Sequence, residues 1–319
     1  DFINKHFIPV KYEMETGIGR TLAMKYRVRG FPSQLFFSPE GNLIYISSGY
    51  QPPPGFLEML AKAANKENHF NLQGISSKLD LDFPDFYKAA FAKNGSPEKK
   101  FPTNEEVVKF LEGRDNLMDE LSWCVLSEFE SNEKFNNYFL ENIAEYERLY
   151  GSHSTRGKLY NLLYNKIRPA FESKDEKVLN DVLAMIDKYD KKTAAENQLY
   201  YKTLFYERTN NWIKYADVME QQINDGKMND DQINDKCWGI YEKCDNHEVL
   251  QKAVKWMKPV VERNINYMNA DTYAVLLYKT KNYSEAAKYA EKAIEIGRKD
   301  KSDIKATEEL LEKIKAEMK

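Results

Sequence analysis

The sequence predicts an α/β segment followed by a longer all-α region of repeated helix pairs, so the chain is mostly helical overall. Two short apolar runs divided by a Pro- and Gly-containing turn lie within the first 50 residues. Gly and Pro become scarce from Thr103 onward, and similar helix starts recur about every 36 residues. Period-2 runs joined by turn residues specify a hairpin, whereas apolar spacing of three and four specifies helices. At 319 residues the chain exceeds what one hydrophobic core usually serves, which points to two domains.

Taken in order, Phe7 to Met14 reads as a strand of mixed burial. Gly17 to Tyr26 reads as an amphipathic helix with Ile18, Leu22 and Tyr26 on one side. Gln34 to Phe37 and Leu43 to Ile46, divided by Ser38-Pro39-Glu40-Gly41-Asn42, form an antiparallel hairpin. After Gly49, the prolines 52 to 54 start a helix whose face is Phe56, Leu57 and Leu60. Residues 66 to 102 read as a linker with a short helix carrying Phe83, Phe86, Tyr87 and Phe91. That places the α/β segment at 1–65 and the helical-repeat domain at 103–319.

The order strand, helix, strand, strand, helix, with Val28-Arg29-Gly30-Phe31-Pro32-Ser33 entering the hairpin, resembles the C-terminal half of the thioredoxin fold. The resemblance covers residues 1–65 and implies a partial thioredoxin-like domain in which Pro32 is cis and Phe31 offers its backbone to a substrate. Gly30, Phe31 and Pro32 are therefore the candidate substrate-binding residues. The Cys-x-x-C pair that thioredoxin chemistry requires is not in this sequence, so no residue is a catalytic candidate. In the family, a strand of the missing half lies between those matching Phe7–Met14 and Gln34–Phe37. The half-domain is therefore expected to be unstable alone, so that either the natural protein is longer or a second copy or the helical domain fills the gap. A chain that starts at Asp1 rather than Met fits that expectation.

Within the helical region, Asp175, Asn211, Asn246 and Asn282 each open the second helix of a pair, at spacings of 36, 35 and 36. One helix pair cannot bury its apolar face without the next, which is why such arrays repeat. The last unit, Asn282-Tyr283-Ser284-Glu285-Ala286 followed by Ala290, Ala293 and Ile294, resembles the tetratricopeptide motif. Lys281 stands where that family usually has glycine and Arg298 where it has proline. The Glu- and Lys-rich stretch after Lys299 reads as a solvated capping helix.

Composition narrows the function classes. An apolar fraction of 42% excludes a disordered chain. With 47 basic against 50 acidic residues mixed along the chain, nothing favours a nucleic-acid partner or an acidic membrane surface. No apolar stretch approaches the ~20 residues of a membrane-spanning helix.

Cys237 and Cys244, seven residues apart on one helix, would lie about 10 Å apart, too far for a disulfide. Cys124, in an apolar run, reads as a buried, inert thiol. His6, His69, His153 and His247 have no partners at metal-ligand spacing, and Gly17-Ile18-Gly19-Arg20 lacks the parts of a phosphate loop, so no cofactor is expected. The aromatics Tyr200, Tyr201, Phe205, Tyr206, Trp212 and Tyr215 read chiefly as inter-helix packing, and otherwise as a peptide-binding groove.

Two functions are consistent with these residues. One is a thioredoxin-like thiol–disulfide oxidoreductase with a helical extension that binds protein or peptide substrates. The other is a non-catalytic interaction scaffold that works through its helices. The combination of a thioredoxin-like unit with a long, Tyr- and Asn-rich helical tail resembles envelope proteins of Bacteroidetes-type bacteria, which implies a periplasmic or cell-envelope location.

Overall fold

A computed structural model describes residues 2–79 and 81–319. By their own contacts these form two compact units, residues 1–165 and 166–319.

The first unit opens with α1 (Phe2–His6), α2 (Gly17–Tyr26), β1 (Ser33–Phe37), β2 (Leu43–Ser48) and α3 (Pro53–Ala64). β1 and β2 pair antiparallel, from Ser33 opposite Ser48 to Phe37 opposite Leu43, with an irregularity after Phe36. They are the only strands among the described residues.

Two expectations are corrected here. Phe7 to Met14 is not a strand: Pro9 has no N–H to donate, no neighbouring strand offers a ladder, and Ile8, Val10 and Tyr12 are exposed. Only Phe7 is anchored, its ring 5.2 Å from that of Phe36. On α2 the buried face carries Gly19, Ala23, Met24 and Tyr26, while Ile18 is exposed. The small residues decide this, because a Cβ at position 19 would collide with the backbone carbonyl of Glu13.

The rest of this unit is helical: α4 (Asp85–Ala90), α5 (Asn104–Glu112), α6 (Glu120–Glu128), α7 (Glu133–Glu141), α8 (Ile143–Tyr150) and α9 (Ser152–Ile167), the last of which crosses the boundary between units. α5 starts at a reciprocal cap in which Thr103 and Glu106 satisfy each other's backbone N–H groups. Trp123, Cys124, Val125 and Leu126 of α6 are all fully buried. Trp123 stacks on Tyr150 at 5.0 Å and meets the tilted ring of Tyr146 at 4.9 Å. The hydroxyls of those tyrosines donate to the carbonyls of Leu117 and Met118. On the other side, the Tyr87 hydroxyl donates to the Met24 carbonyl at 2.9 Å, tying α4 to α2.

The second unit contains α10 (Ala170–Ser173), α11 (Glu176–Tyr189), α12 (Ala194–Arg208), α13 (Trp212–Asn224), α14 (Asp230–Lys243), α15 (His247–Arg263), α16 (Tyr267–Lys279), α17 (Tyr283–Asp300) and α18 (Lys305–Glu317). The four residues that mark the repeat are the N-caps of α11, α13, α15 and α17. At Asp175, Asn211 and Asn246 the side chain accepts a backbone N–H of the first helical turn, which explains their residue types. Lys174, Asn210 and Lys281, each just before such a cap, have φ of 55°, 57° and 63°. A glycine adopts that left-handed turn without steric penalty, so the departure at Lys281 falls where the backbone asks for glycine. No helix among the described residues is long and apolar enough to cross a membrane.

Candidate functional site

The segment that leaves α2 places the predicted site residues at the open end of the hairpin. Gly30, Phe31 and Pro32 are all exposed, Phe31 at 53% of its surface, and the Phe31–Pro32 peptide bond is cis. The Pro32 carbonyl accepts the Gly49 N–H at 2.8 Å, and the Gly30 carbonyl accepts the Ser33 hydroxyl at 2.7 Å. Neither the N–H nor the C=O of Phe31 is bonded to any described residue. The Phe31 ring is thus exposed beside its own free backbone donor and acceptor, an arrangement suited to an extended chain laid alongside.

Behind this edge, alternate residues of the same segment lock onto α6. Lys25, 1% exposed, sets its ammonium 2.6 Å from Glu120 and 3.3 Å from the Ser76 hydroxyl. Glu120 also accepts the N–H and hydroxyl of Ser76. Arg27 donates to the Ser154 hydroxyl at 2.7 Å, and its second nitrogen lies 3.9 Å from the Cys124 sulfur. Arg29 donates to Glu128 at 2.8 Å and to the Ala90 carbonyl at 2.6 Å, its guanidinium 3.5 Å from the Phe91 ring centroid. Residues 25, 27 and 29 thus meet 120, 124 and 128. Lys25 stands in the last turn of α2, Arg27 is its left-handed cap with φ 55°, and Arg29 follows, so the three side chains leave the end of a helix.

The three thiols are all buried and free. Burial pushes the Cys124 thiol above its usual range, and the Arg27 guanidinium only partly opposes this. Burial does the same to Cys237 and Cys244. Thiol–disulfide exchange requires an accessible thiolate, and none of these three supplies one. Of the aromatic group in the second unit, Tyr201, Phe205 and Tyr215 are buried, and Tyr206 and Trp212 pack on the core. Tyr200 alone of the six is exposed, so packing accounts for the group.

Residues 1–64 match the family model of a thioredoxin-like domain. No curated protein and no solved structure matches the chain. The match takes in α2, the Gly30-Phe31-Pro32 turn, the hairpin and α3 of the thioredoxin-like segment.

Sequence reasoning did not single out Lys25, Arg27, Arg29, Glu120 or Glu128 as a set. Nothing in the sequence said that the two stretches, about 95 positions apart, face each other.

Proposed function

We propose that this chain is the substrate-holding part of a thioredoxin-like thiol–disulfide oxidoreductase, with the helical units as a tetratricopeptide-like extension that binds protein partners in a bacterial periplasm or envelope. The observation that carries this reading is the exposed Gly30-Phe31-Pro32 edge, with the unbonded Phe31 backbone, inside the stretch that matches a thioredoxin-like domain. An extended peptide forms main-chain bonds to Phe31 and rests a side chain against its ring. Exchange itself needs a low-pKa thiolate that attacks a substrate disulfide, forming a mixed disulfide and releasing the other substrate sulfur as thiolate. In this reading that thiolate lies outside these 319 residues.

A second reading, a non-catalytic scaffold, is favoured by one observation: all three cysteines here are buried. That scaffold works through its helices, so the two readings divide over catalysis and over the use of Phe31.

Binding of a labelled unfolded peptide to the 319-residue chain, followed by fluorescence anisotropy, tests the Phe31 site. Phe31→Ala is expected to weaken it about fivefold or more, with unchanged thermal unfolding because the ring is exposed. Equal binding by the variant removes the site. Insulin reduction by the product of the complete open reading frame divides the two readings. Turnover abolished by Cys→Ser at an upstream Cys-x-x-C supports the oxidoreductase, and no turnover supports the scaffold.

A further inference from the structure

The hairpin leaves one of its two edges without a partner. The bond from the Gly49 N–H to the Pro32 carbonyl makes residues 32 and 49 a bonded pair, and bonded and non-bonded pairs alternate along an antiparallel ladder. Ser33 opposite Ser48 and Leu35 opposite Ile46 are then non-bonded pairs, so the N–H and C=O groups of Ser33 and Leu35 point away from β2. On the far side of β2 the Ile44 carbonyl accepts the Phe70 N–H at 2.8 Å, so that edge is partly taken. Beyond β1 no strand lies among the described residues.

An open edge is usually guarded by a charge or a proline that keeps other strands away. From Gly30 to Pro39 the chain carries no Lys, Arg, Asp or Glu, and Pro32 is turned toward β2, so the outer side of β1 is unguarded. Gln34 stands between the two outward-facing residues. It is half-buried, and its Oε1 has no hydrogen-bond partner in the chain.

We propose that β1 pairs antiparallel with β1 of a second copy, about a two-fold axis that passes between the two Gln34 residues. Ser33 of each copy then exchanges both backbone bonds with Leu35 of the other. The Gln34 side chains meet across the axis, and each carboxamide, turned about its last bond, donates to the Oε1 of the other. The occupant is a second copy because the edge is its own complement: the outward-facing residues flank Gln34 evenly, and the absence of charge selects no partner of either sign. The same register brings the exposed Phe37 toward the exposed Phe31 of the other copy, which adds apolar contact at both ends. With the far edge of β2 held by Phe70, the assembly closes at two chains.

The test is sedimentation equilibrium of the 319-residue chain at about 5 to 200 µM. A contact of this small area is expected to give a dimer that dissociates at about 10–100 µM. Gln34→Glu sets two carboxylates opposite each other at the axis and should weaken the dimer about tenfold or more at pH 7. Gln34→Lys should do the same, and an equimolar mixture of the two variants should recover the dimer, an outcome that misfolding of either variant cannot produce. Gln34→Cys stands at a non-bonded pair, where Cα atoms lie about 4.5 Å apart and within disulfide reach. Mild oxidation should therefore link it to its copy, while the native chain, with its three thiols buried, stays unlinked. A monomer throughout, or a dimer indifferent to the charge at position 34, overturns the proposal and leaves peptide binding at Phe31 untouched. A product of the complete open reading frame that stays monomeric where the 319-residue chain dimerises also overturns it, by giving the edge to an upstream strand.

Discussion

In the first unit Lys25 reaches Glu120, 95 positions along the chain, Arg29 reaches Glu128, 99 positions along, and Arg27 reaches Ser154, 127 positions along. In the second, Glu176 pairs with Lys214, Glu207 with Lys243 and Asp217 with Lys252, at separations of 38, 36 and 35, and the Thr307 hydroxyl reaches Asp271 at 36. Each contact of the first set occurs once and is largely withdrawn from water. The second set repeats one relation between neighbouring helix pairs and sits mostly on the surface. The difference teaches where stability is concentrated. A unit closed by single long-range contacts stands or falls as a whole, whereas an array of nearest-neighbour contacts can loosen at one place and hold at others.

The largest expected effect comes from Glu120→Ala. It leaves the Lys25 ammonium buried without its carboxylate, a change that costs about 3–5 kcal/mol. Denaturant unfolding followed by fluorescence should show the midpoint of the first unit falling and that of the second unchanged. Coincident shifts in both would break the comparison.

Leu276→Ala in the fully buried heart of α16 is expected to cost about 2–5 kcal/mol, but locally. Hydrogen exchange should accelerate in α14 to α18 and stay near the native rate in α11 and α12. Uniform acceleration across the second unit would show that it behaves as one block.

Lys158, on α9, sharpens the contrast with a change of opposite sign. It is 4% exposed, and its ammonium donates to the Phe129 carbonyl at 3.1 Å. Burial lowers its pKa to about 8, with Glu130 and Glu128 opposing. An unfolded chain keeps that proton until about pH 10.4, so between pH 8 and that value the unfolded state binds more protons than the folded one. Stability of the first unit therefore rises with pH across this window by about 3 kcal/mol, and below pH 8 the full penalty remains. Lys158→Met should flatten the rise and stabilise the unit at pH 7 by about 1–3 kcal/mol, read from denaturation midpoints at a series of pH values. A slope that survives the substitution would assign it to another group.

The smallest effect belongs to Lys281→Gly, which relieves a left-handed turn at the price of chain entropy and should stabilise the second unit by about 0.5 kcal/mol. A lower melting temperature would mean that the lysine side chain contributes more than its backbone conformation suggests.

How much of this was legible in the sequence follows from the same contrast. The second unit writes its plan locally: Asp175, Asn211, Asn246 and Asn282 each announce a helix start, and the period between them gives the pairing. In the first unit the hairpin and α3 were legible from Pro and Gly positions. The face of α2 was not, because Gly19 and Ala23 pack by being small rather than by being apolar, and apolar periodicity pointed to Ile18 and Leu22. The segment Phe7–Met14 misled for a related reason, since alternation predicts a strand only where a neighbour completes it. The exposed edge at Phe31 was legible through resemblance, whereas the pairing of Lys25 and Arg29 with Glu120 and Glu128 carried no signal.

The pairing of the end of α2 with helix α6 also bears on how this protein can be cut and recombined. Excised at residue 65, the thioredoxin-like segment would carry Lys25, Arg27 and Arg29 without Glu120, Glu128 and Ser154. A fragment or chimera that keeps these charges matched extends at least to Ser154. A graft onto another scaffold would have to move the two sides of the seam together, as parts cut from one template.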